Sequence, residues 1–425
     1  MTAAIPQNLP PTWQFTELKD IVDINPESRD PSQKPQEFFT YIDIDAVENG
    51  TGVITSVKEL SGKDAPSRAR RIVHIDDIIL SEVRPYLKAF AIIPKILNNQ
   101  ICSTGFAVLR SNGEIDPHYL LYTLFSTPVI EQCNRMMVGA QYPALNDAQV
   151  KKIQIPLPPL PEQRRIATIL STVDDAIQRS RQAALETERL KIGVLHELMT
   201  KGIGHTEFRE DPDVGTIPKE WDVKKIGKVS DIVTGGTPST QHPEYYGGNI
   251  GWLKSGDIKG HYVFSTPENL TLAGVNNSNA KVHPAGGVAI ALSGRGQTRG
   301  RTIIIKKPMA CSQSVAIMLP DGSLSSEFLH YCLAFKYSEI RNLTGDNDRS
   351  GLNLKLVSNI QIPFPSLTEQ QKIATILTTI DRKLSLQRQR IAHYEKLKQG
   401  LMNDLLTGRK RVLQNIDRLR KGIKG

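Results

Sequence analysis

One stretch of this chain occurs twice, and that repeat limits what the rest can fold into. IQIPLPPLPEQRRIATILSTVDDAIQ begins at Ile153 and returns as IQIPFPSLTEQQKIATILTTIDRKLS at Ile360. The copies stay in register to Thr200 and Thr407 with about half of the positions identical, so the chain carries an internal duplication. Each copy opens on an apolar segment broken by prolines, which on sequence grounds does not continue as regular helix or sheet. A proline-free stretch follows, 162–200 and 369–407. Its apolar positions step by three and four: Leu170, Val173, Ile177, Ala184, Val194 and Leu198, then Leu377, Ile380, Leu384, Ile391, Tyr394, Leu401 and Leu405. So narrow a stripe is a coiled-coil seam rather than the wide face of a buried helix. At about 1.5 Å per residue each helix spans roughly 60 Å. Two such helices in one chain bury their stripes most simply against each other. Polar residues interrupt both seams at matching places, Ser180 with Gln387 and Lys191 with Lys398. Buried polar positions weaken a seam while fixing its register; solvated breaks in an imperfect stripe explain the same residues.

The segments around the helices are shorter in period. Residues 1–152 carry β-rich runs (FFTYIDI, DIILSEV, FAIIP) between Gly, Pro and Asn turns, with amphipathic helices at PHYLLYTLFS and TPVIEQCNRMM. Residues 207–359 repeat the plan more faintly. LPPTW before Trp13 matches IPKEW before Trp221, and ICSTGFAVL matches ACSQSVAIML. PHYLLYTL matches SSEFLHYCLAF, and LNDAQVKKIQIP matches LNLKLVSNIQIP. No βαβ regularity is visible, so the expected class is α+β rather than a doubly wound sheet. The expected order is a globular domain at 1–152, a helix at 153–206, a second domain at 207–359, and a second helix with a basic tail at 360–425. The helices match far better than the domains, which fits helices doing one job twice and domains recognising two different things.

A chain of 425 residues suits two to four compact units. No apolar run is long enough to cross a membrane, and MTAAIPQNLPPTWQF lacks the basic-then-apolar pattern of a signal peptide. Cys102, Cys133, Cys311 and Cys332 form no CxxC pair, which argues against a zinc site and a disulfide framework. A cytoplasmic protein is the simplest account. The net charge is +9, but residues 409–425 hold seven basic residues and one acidic residue, so that tail alone carries +6. Bulk charge therefore supports nucleic-acid binding only weakly, and a DNA surface must come from local clustering.

The LPEQRRIATILSTVDDAI stretch and its copy resemble the conserved regions of the specificity subunit of type I restriction-modification systems. TGGTPSTQHPEYYGGNIGWLKSGDIKG, residues 234–260, is similar to the opening of a target recognition domain in that family. The resemblance covers essentially the whole chain. It implies two target recognition domains joined by two long helices in an antiparallel coiled coil, with a pseudo-two-fold repeat, each domain reading half of a bipartite duplex DNA target. It further implies docking of two modification subunits, which bind S-adenosylmethionine and methylate adenine. Motor-nuclease restriction subunits would add ATP- and Mg-dependent translocation and cleavage, with no cofactor on this chain itself.

Candidate DNA contacts follow from residue type. SGRGQTRGR, 293–301, sets Arg295, Gln297, Arg299 and Arg301 among glycines between apolar segments. It lacks the strand–turn–helix setting of a dinucleotide fingerprint, whereas a glycine-rich hairpin can bring arginine, the best reader of guanine, to a groove. In the first domain SRARR (Arg68, Arg70, Arg71) and EVRPYLK (Arg84, Lys88) are the parallel candidates. GGTPST, 235–240, with Thr237 and Ser239, could bring backbone amides to a phosphate, though no Gly-Lys-Ser/Thr follows and a tight loop without ligand explains it equally. Nearby Tyr245, Tyr246 and Trp252 are expected to pack the core. Two loops precede the helices at matching places: VGAQYPALN with Gln141 and Tyr142, and TGDNDRSGLN with Asn347 and Arg349. Amides read adenine edges and arginine reads guanine, while ordinary turn chemistry gives the same composition.

What is missing counts too. There is no Asn/Asp-Pro-Pro-Phe/Tyr motif, Walker motif or convincing nuclease carboxylate cluster, and His74, His118, His242, His283 and His330 fall at no metal-ligand spacing. The expectation is a recognition subunit that depends on partners for chemistry. A stand-alone methyltransferase or nuclease, and a helical scaffold with two protein-binding modules, are the rival readings.

Overall fold

The computed structural model describes residues 9–139, 143–294, 296–343 and 351–412. The chain forms two compact units, one of Met1–Ser180 with Gln389–Gly425, the other of Arg181–Arg388. The two long helices, Leu160–Lys201 and Leu367–Leu405, each contribute one half to each unit.

In the first unit two four-stranded sheets stack. One runs in the order Val22–Ile24, Phe106–Ser111, Ile78–Ser81, Phe90–Ile92; the other runs Lys58–Ser61, Phe38–Ile42, Gln100–Ser103, Ala69–Val73. The run DIILS shows why the first sheet sits centrally. Ile78 and Leu80 face a cluster with helix Pro117–Leu124, while Ile79 faces the second sheet, so both faces are buried and alternation disappears. Asp116 caps that helix by accepting from Tyr119 N at 3.0 Å, and Pro117 occupies its first position.

The second unit has the same plan. Ser230–Thr234, Val315–Pro320, Val288–Ala291, Thr302–Ile305 and Tyr262–Val263 form its central sheet, and Asn269–Leu270, Tyr246–Leu253, Met309–Cys311 and Val282–His283 the other. Each unit has a parallel pair in its second sheet, Phe38–Ile42 with Gln100–Ser103 and Tyr246–Leu253 with Met309–Cys311. Domains that match only faintly in sequence thus share one topology.

The proline-broken segments correct the expectation set on them, because both are strands. Gln154–Leu157 pairs antiparallel with Gln14–Glu17, and Gln361–Phe364 with Asp222–Lys225. Leu18 N donates to Ile153 O at 3.0 Å, and Ile226 N to Ile360 O at 3.0 Å. Those bonds fix which pairs exchange hydrogen bonds, and leave Pro156 and Pro363 at the pairs that exchange none. In a two-stranded ribbon such a position needs no N–H, so proline costs nothing there.

Within each unit the helix halves lie antiparallel. In the first, Asp174 meets Lys398 at 2.6 Å and Glu162 meets Arg411 at 2.7 Å. In the second, Lys191 meets Asp381 at 2.6 Å and Glu188 meets Arg388 at 3.2 Å. Leu170, Ile177, Leu198, Leu377, Leu384 and Leu405 are buried, and Val173, Ala184, Val194, Ile380, Ile391, Tyr394 and Leu401 are partly buried. The stripe is a seam. Lys191 and Lys398, the shared interruptions, are not solvated breaks, since each carries the ion pair named above. Ser180 bonds its own helix at Ala176 O, 2.7 Å.

Each helix start is bolted to its domain by the same residues. Trp13 Nε1 donates to Glu162 at 3.0 Å, and Trp221 Nε1 to Glu369 at 3.1 Å. Gln163 accepts from Asp116 N, and Gln370 from Ser325 N, both at 2.8 Å. This explains why Glu162, Gln163 and Gln370 are buried and Glu369 is partly buried. Arg411 completes the first site, donating to Glu162 at 2.7 and 2.8 Å and to Thr12 at 3.0 Å. The basic tail expected from residue 409 therefore begins inside the fold. Residues 413–425 lie outside the described residues.

Candidate nucleic-acid interface

In the first unit the separate candidate segments converge. Arg68 is exposed, and its carbonyl accepts from Thr104 N at 2.8 Å, beside the turn of ICSTGF. Gly105 O accepts from Glu82 N at 2.9 Å, Glu82 O from Leu145 N at 2.8 Å, and Pro143 O from Arg84 N at 2.9 Å. SRARR, EVRPYLK and the end of VGAQYPALN therefore make one continuous rim. Gln141 and Tyr142 lie outside the described residues.

The rim's side chains divide into those held inward and those turned outward. Arg71 is held inward. It donates to Phe106 O and pairs with Glu82 at 3.3 Å and Asp147 at 3.4 Å. Lys88 donates to Phe125 O at 3.2 Å, and burial draws its ammonium below the usual lysine range. Arg70 pairs with Asp30 at 3.3 Å and is about one-third exposed. Arg84 and Lys88 flank the turn Pro85–Leu87 in the left-handed region, φ +48° and +58°. That conformation costs a non-glycine residue of order 1 kcal/mol or more and holds Tyr86 and Leu87 outward, 42% and 45% exposed. Neither residue was singled out by sequence; Arg-Pro-Tyr-Leu-Lys gives no left-handed signal without a glycine or asparagine.

Glu82 lies beneath the rim, 7% exposed, and its Oε1 has no hydrogen-bond partner among the described residues. Burial pushes its carboxyl up to about 7, against the pull of Arg71 and with a further rise from Asp147.

The second unit builds the same rim. Leu292 N donates to Ser314 O at 2.9 Å, and Leu352 N to Leu292 O at 2.7 Å, the counterparts of the bonds at Glu82. The glycine-rich loop and the end of TGDNDRSGLN thus adjoin. Arg341 donates to Gly296 O at 2.8 Å and Tyr337 to Gln297 O at 2.6 Å, steadying the loop from helix Tyr337–Asn342. Gln297 accepts from Arg301 at 2.8 Å, and both are exposed. Arg299 is 7% exposed and belongs to the interior of the loop. Arg295, Asn347 and Arg349 lie outside the described residues.

GGTPST joins this rim through Thr237, which donates to Gln313 at 2.6 Å, one residue before Ser314. Its glycines have a protein reason rather than a ligand reason. A Cβ on Gly235 would meet Cys311 O at 1.8 Å, and one on Gly236 would meet Asn279 Cβ at 2.7 Å. Ser239 is exposed, and its Oγ accepts from Gln241 N at 3.3 Å. Trp252 packs below, donating to Gly236 O at 3.1 Å, and Tyr246 donates to Pro238 O at 2.6 Å. The CSTG and CSQS turns, seen in the sequence only as matching segments, are what link the loops.

All four cysteines are buried, and among the described residues no cluster of His, Cys, Asp and Glu could hold a metal ion. Among the same residues no helix is long and apolar enough to cross a membrane.

Comparisons with known proteins agree with this architecture. The sequence profile of the family described as "Type I restriction modification DNA specificity domain" matches twice, at 10–187 and 218–396. A Methanocaldococcus jannaschii protein named for the specificity subunit of type I restriction enzyme MjaX is 27% identical over 419 residues, 95% of each chain. The MjaVIII specificity subunit of the same organism is 29% identical, covering 73% of this chain and 74% of that one. A solved chain from work on complex assembly and conformational transition of the type I R-M system superposes with a TM-score of 0.60 at 28% identity, covering 94% of this chain and 99% of that chain. Two profile matches, each ending within a long helix, take in most of the sequence: the chain belongs to the type I restriction-modification DNA specificity family.

Proposed function

We propose that this chain is the DNA-recognition subunit of a type I restriction-modification complex and performs no chemistry itself. Each unit reads one half of a bipartite duplex target with its rim, and the duplicated helices set the distance between the halves. The observation that carries this reading is the rim itself, built twice by the same backbone bonds at Glu82 and Leu292 but furnished with different side chains. Common scaffolding with divergent tips suits two readers of different sequences.

In the first unit the proposed contacts are Arg68, Arg70, Arg84, Tyr86, Gln141 and Tyr142. In the second they are Thr237, Ser239, Arg295, Gln297, Arg301, Asn347 and Arg349. Arg71, Lys88 and Arg299 support the rim from beneath. Two modification subunits dock on the helices, where Leu185, Leu190, Ile192, Leu386 and Leu397 are 43–67% exposed and off the seam. S-adenosylmethionine, ATP and Mg belong to the modification and restriction partners, and the assembly works in the cytoplasm.

The test is selection of bound duplexes from a randomised pool, followed by sequencing of methylated sites in cells that express the chain with its modification subunits. Two short conserved blocks with a fixed gap are expected in both. No enrichment would mean a scaffold. Methyl transfer or cleavage by the purified chain alone would mean an enzyme.

A further inference from the structure

In each domain one loop crosses the rim between two strands of the central sheet, 82–88 after Ile78–Ser81 and 292–300 after Val288–Ala291. Both loops close on the same backbone bond: Ser81 N donates to Ala89 O at 3.2 Å, and Ala291 N to Arg301 O at 2.9 Å. Their tips present opposite chemistry. Among its described residues the second loop exposes Ser293, Gly294, Gly296 and Gln297, none of them apolar beyond glycine. The first exposes Tyr86 and Leu87.

The two loops also turn by different means. The second makes its left-handed turns with glycine, at Gly296 and Gly300. The first places Arg84 and Lys88 in that region, on either side of the tip. A loop needed only for its turn would use glycine, so the strain at Arg84 and Lys88 is tied to what lies between them. That tip is held firmly. Pro85 is buried, Leu87 N donates to Arg84 O at 2.9 Å, and Arg84 N donates to Pro143 O at 2.9 Å. Lys88 O accepts from Gly50 N at 2.9 Å, and its ammonium donates to Phe125 O at 3.2 Å. Side chains fixed in advance lose little freedom on binding. The apolar surface continues to Val138, 70% exposed, which bridges Ala144 and through it Val83. Arg68 is exposed on the same rim. Cations beside an apolar point match duplex DNA, whose phosphates flank stacked base faces.

We infer that Tyr86 and Leu87 form a wedge that enters the stack at one base step of the first half-site, so that this half is read partly by how easily the step opens. The inference rests on the proposed placement of the rim against duplex DNA. Pyrimidine–purine steps, TA and CA/TG, unstack most easily and are the class selected. The second loop brings no such side chain, so the halves are read by different physics: deformation in the first, hydrogen bonds from Gln297 and Arg301 in the second.

The test uses the full-length chain with its modification subunits, on duplexes carrying the target selected as above. 2-Aminopurine, which brightens when unstacked, replaces each adenine of the target in turn. At one step of the first half-site, emission should be about threefold brighter with the parent than with Tyr86→Ala/Leu87→Ala. No step of the second half-site should differ between them. The double variant should bind the target roughly tenfold more weakly and lose the preference for a pyrimidine–purine step, with the gap and the second half unchanged. Tyr86→Phe keeps the ring and should keep the brightening, which separates a wedge from a hydroxyl contact. Equal emission from parent and double variant at every step would overturn the wedge while leaving the DNA-reading rim in place. So would loss of the modification subunits from the double variant with DNA affinity unchanged, which would assign the pair to protein docking. Enrichment of no duplex at all by the parent would remove the proposed function and the wedge together.

Discussion

The two units should respond to pH in opposite directions between pH 5 and 8. In the first, Glu82 is the group that matters. Its carboxyl is pushed from an ordinary 4.5 up to about 7, chiefly by burial, with Arg71 opposing and Asp147 adding. A carboxyl with a raised pKa is held protonated by the fold. Its contribution is complete below about pH 4.5 and is lost as pH rises through about 7, which amounts to about 2 kcal/mol between pH 5 and 8. In the second unit His261 and His330 lie with ring centroids 4.4 Å apart, and Thr302 bonds His330 at 2.9 Å. Burial pushes His261 down to about 4 and His330 to about 3; Asp381 and Glu327 pull His261 upward, while Lys191 and Lys306 push it lower. Both rings are held neutral, so their contribution is complete above about pH 6.5 and falls away as pH drops toward 4. His261 alone accounts for about 2 kcal/mol between pH 8 and 5, and the adjacent rings do not simply add.

For units of this size about 2 kcal/mol moves a melting temperature by roughly 4–8 °C. Calorimetry at four pH values, comparing each variant with the parent, isolates the terms. Glu82→Gln mimics the protonated carboxyl, so its gain over the parent should grow toward pH 8. His261→Gln with His330→Leu, leucine being the residue at the matching Leu121, should gain toward pH 5. Variant and parent curves that run parallel across the range would refute the assignment of these groups.

Further outcomes follow from the same contacts. Lys398→Ala should cost the first unit about 2–4 kcal/mol in urea unfolding, less than a fully buried pair because Asp174 is 29% exposed, and Lys191→Ala should cost the second a similar amount. Gln297→Ala with Arg301→Ala should weaken DNA binding by about 1–3 kcal/mol per base contact and at one half-site only, with Arg68→Ala acting on the other; equal loss at both halves in selection experiments would mean phosphate contact. Truncation after Val412 should leave half-site preferences unchanged, whereas truncation from Arg409 should lower the melting temperature by removing the Arg411–Glu162 pair. Inserting seven residues after Arg181 and again after Arg388 keeps heptad phase and adds roughly 10 Å to each helix, so the preferred gap should lengthen by about three base pairs, or tight binding fail, with the half-site bases unchanged.

What the sequence disclosed depended on whether the signal was periodic. The seam could be read from Leu170, Ile177, Leu377 and Leu384 because a coiled coil writes its contacts at fixed spacing. The common topology of the two domains was only hinted at by ICSTGFAVL and ACSQSVAIML, since strands buried on both faces keep hydrophobicity and lose pattern. Prolines 156 and 363 misled for a definite reason: composition does not tell which ladder positions use their N–H. At the rim, residue type alone does not separate Arg71, held by two carboxylates and a carbonyl, from Arg68, which is exposed. That distinction arises from partners more than ten residues away. The left-handed turn at Arg84–Lys88 is a further case, fixed by its surroundings rather than by its own residues.

The polar interruptions of the seam tie these levels together. Asp174 accepts from Tyr122 of the first domain at 2.8 Å and pairs with Lys398 of the opposite helix at 2.6 Å. Asp381 does the same with Tyr331 and Lys191, at 2.8 and 2.6 Å. One carboxylate thus joins a domain helix and both long helices, twice. Sliding one long helix by a heptad would keep leucine against leucine but strand both lysines and both carboxylates in a half-buried seam, at a cost of several kcal/mol. Leucines alone leave that slip open, so the ion pairs are what make the helix register single-valued. A spacer that sets the gap in a DNA target needs a unique register more than it needs maximum stability. If the helices are that spacer, as proposed above, the imperfect stripe is the form of seam the role requires.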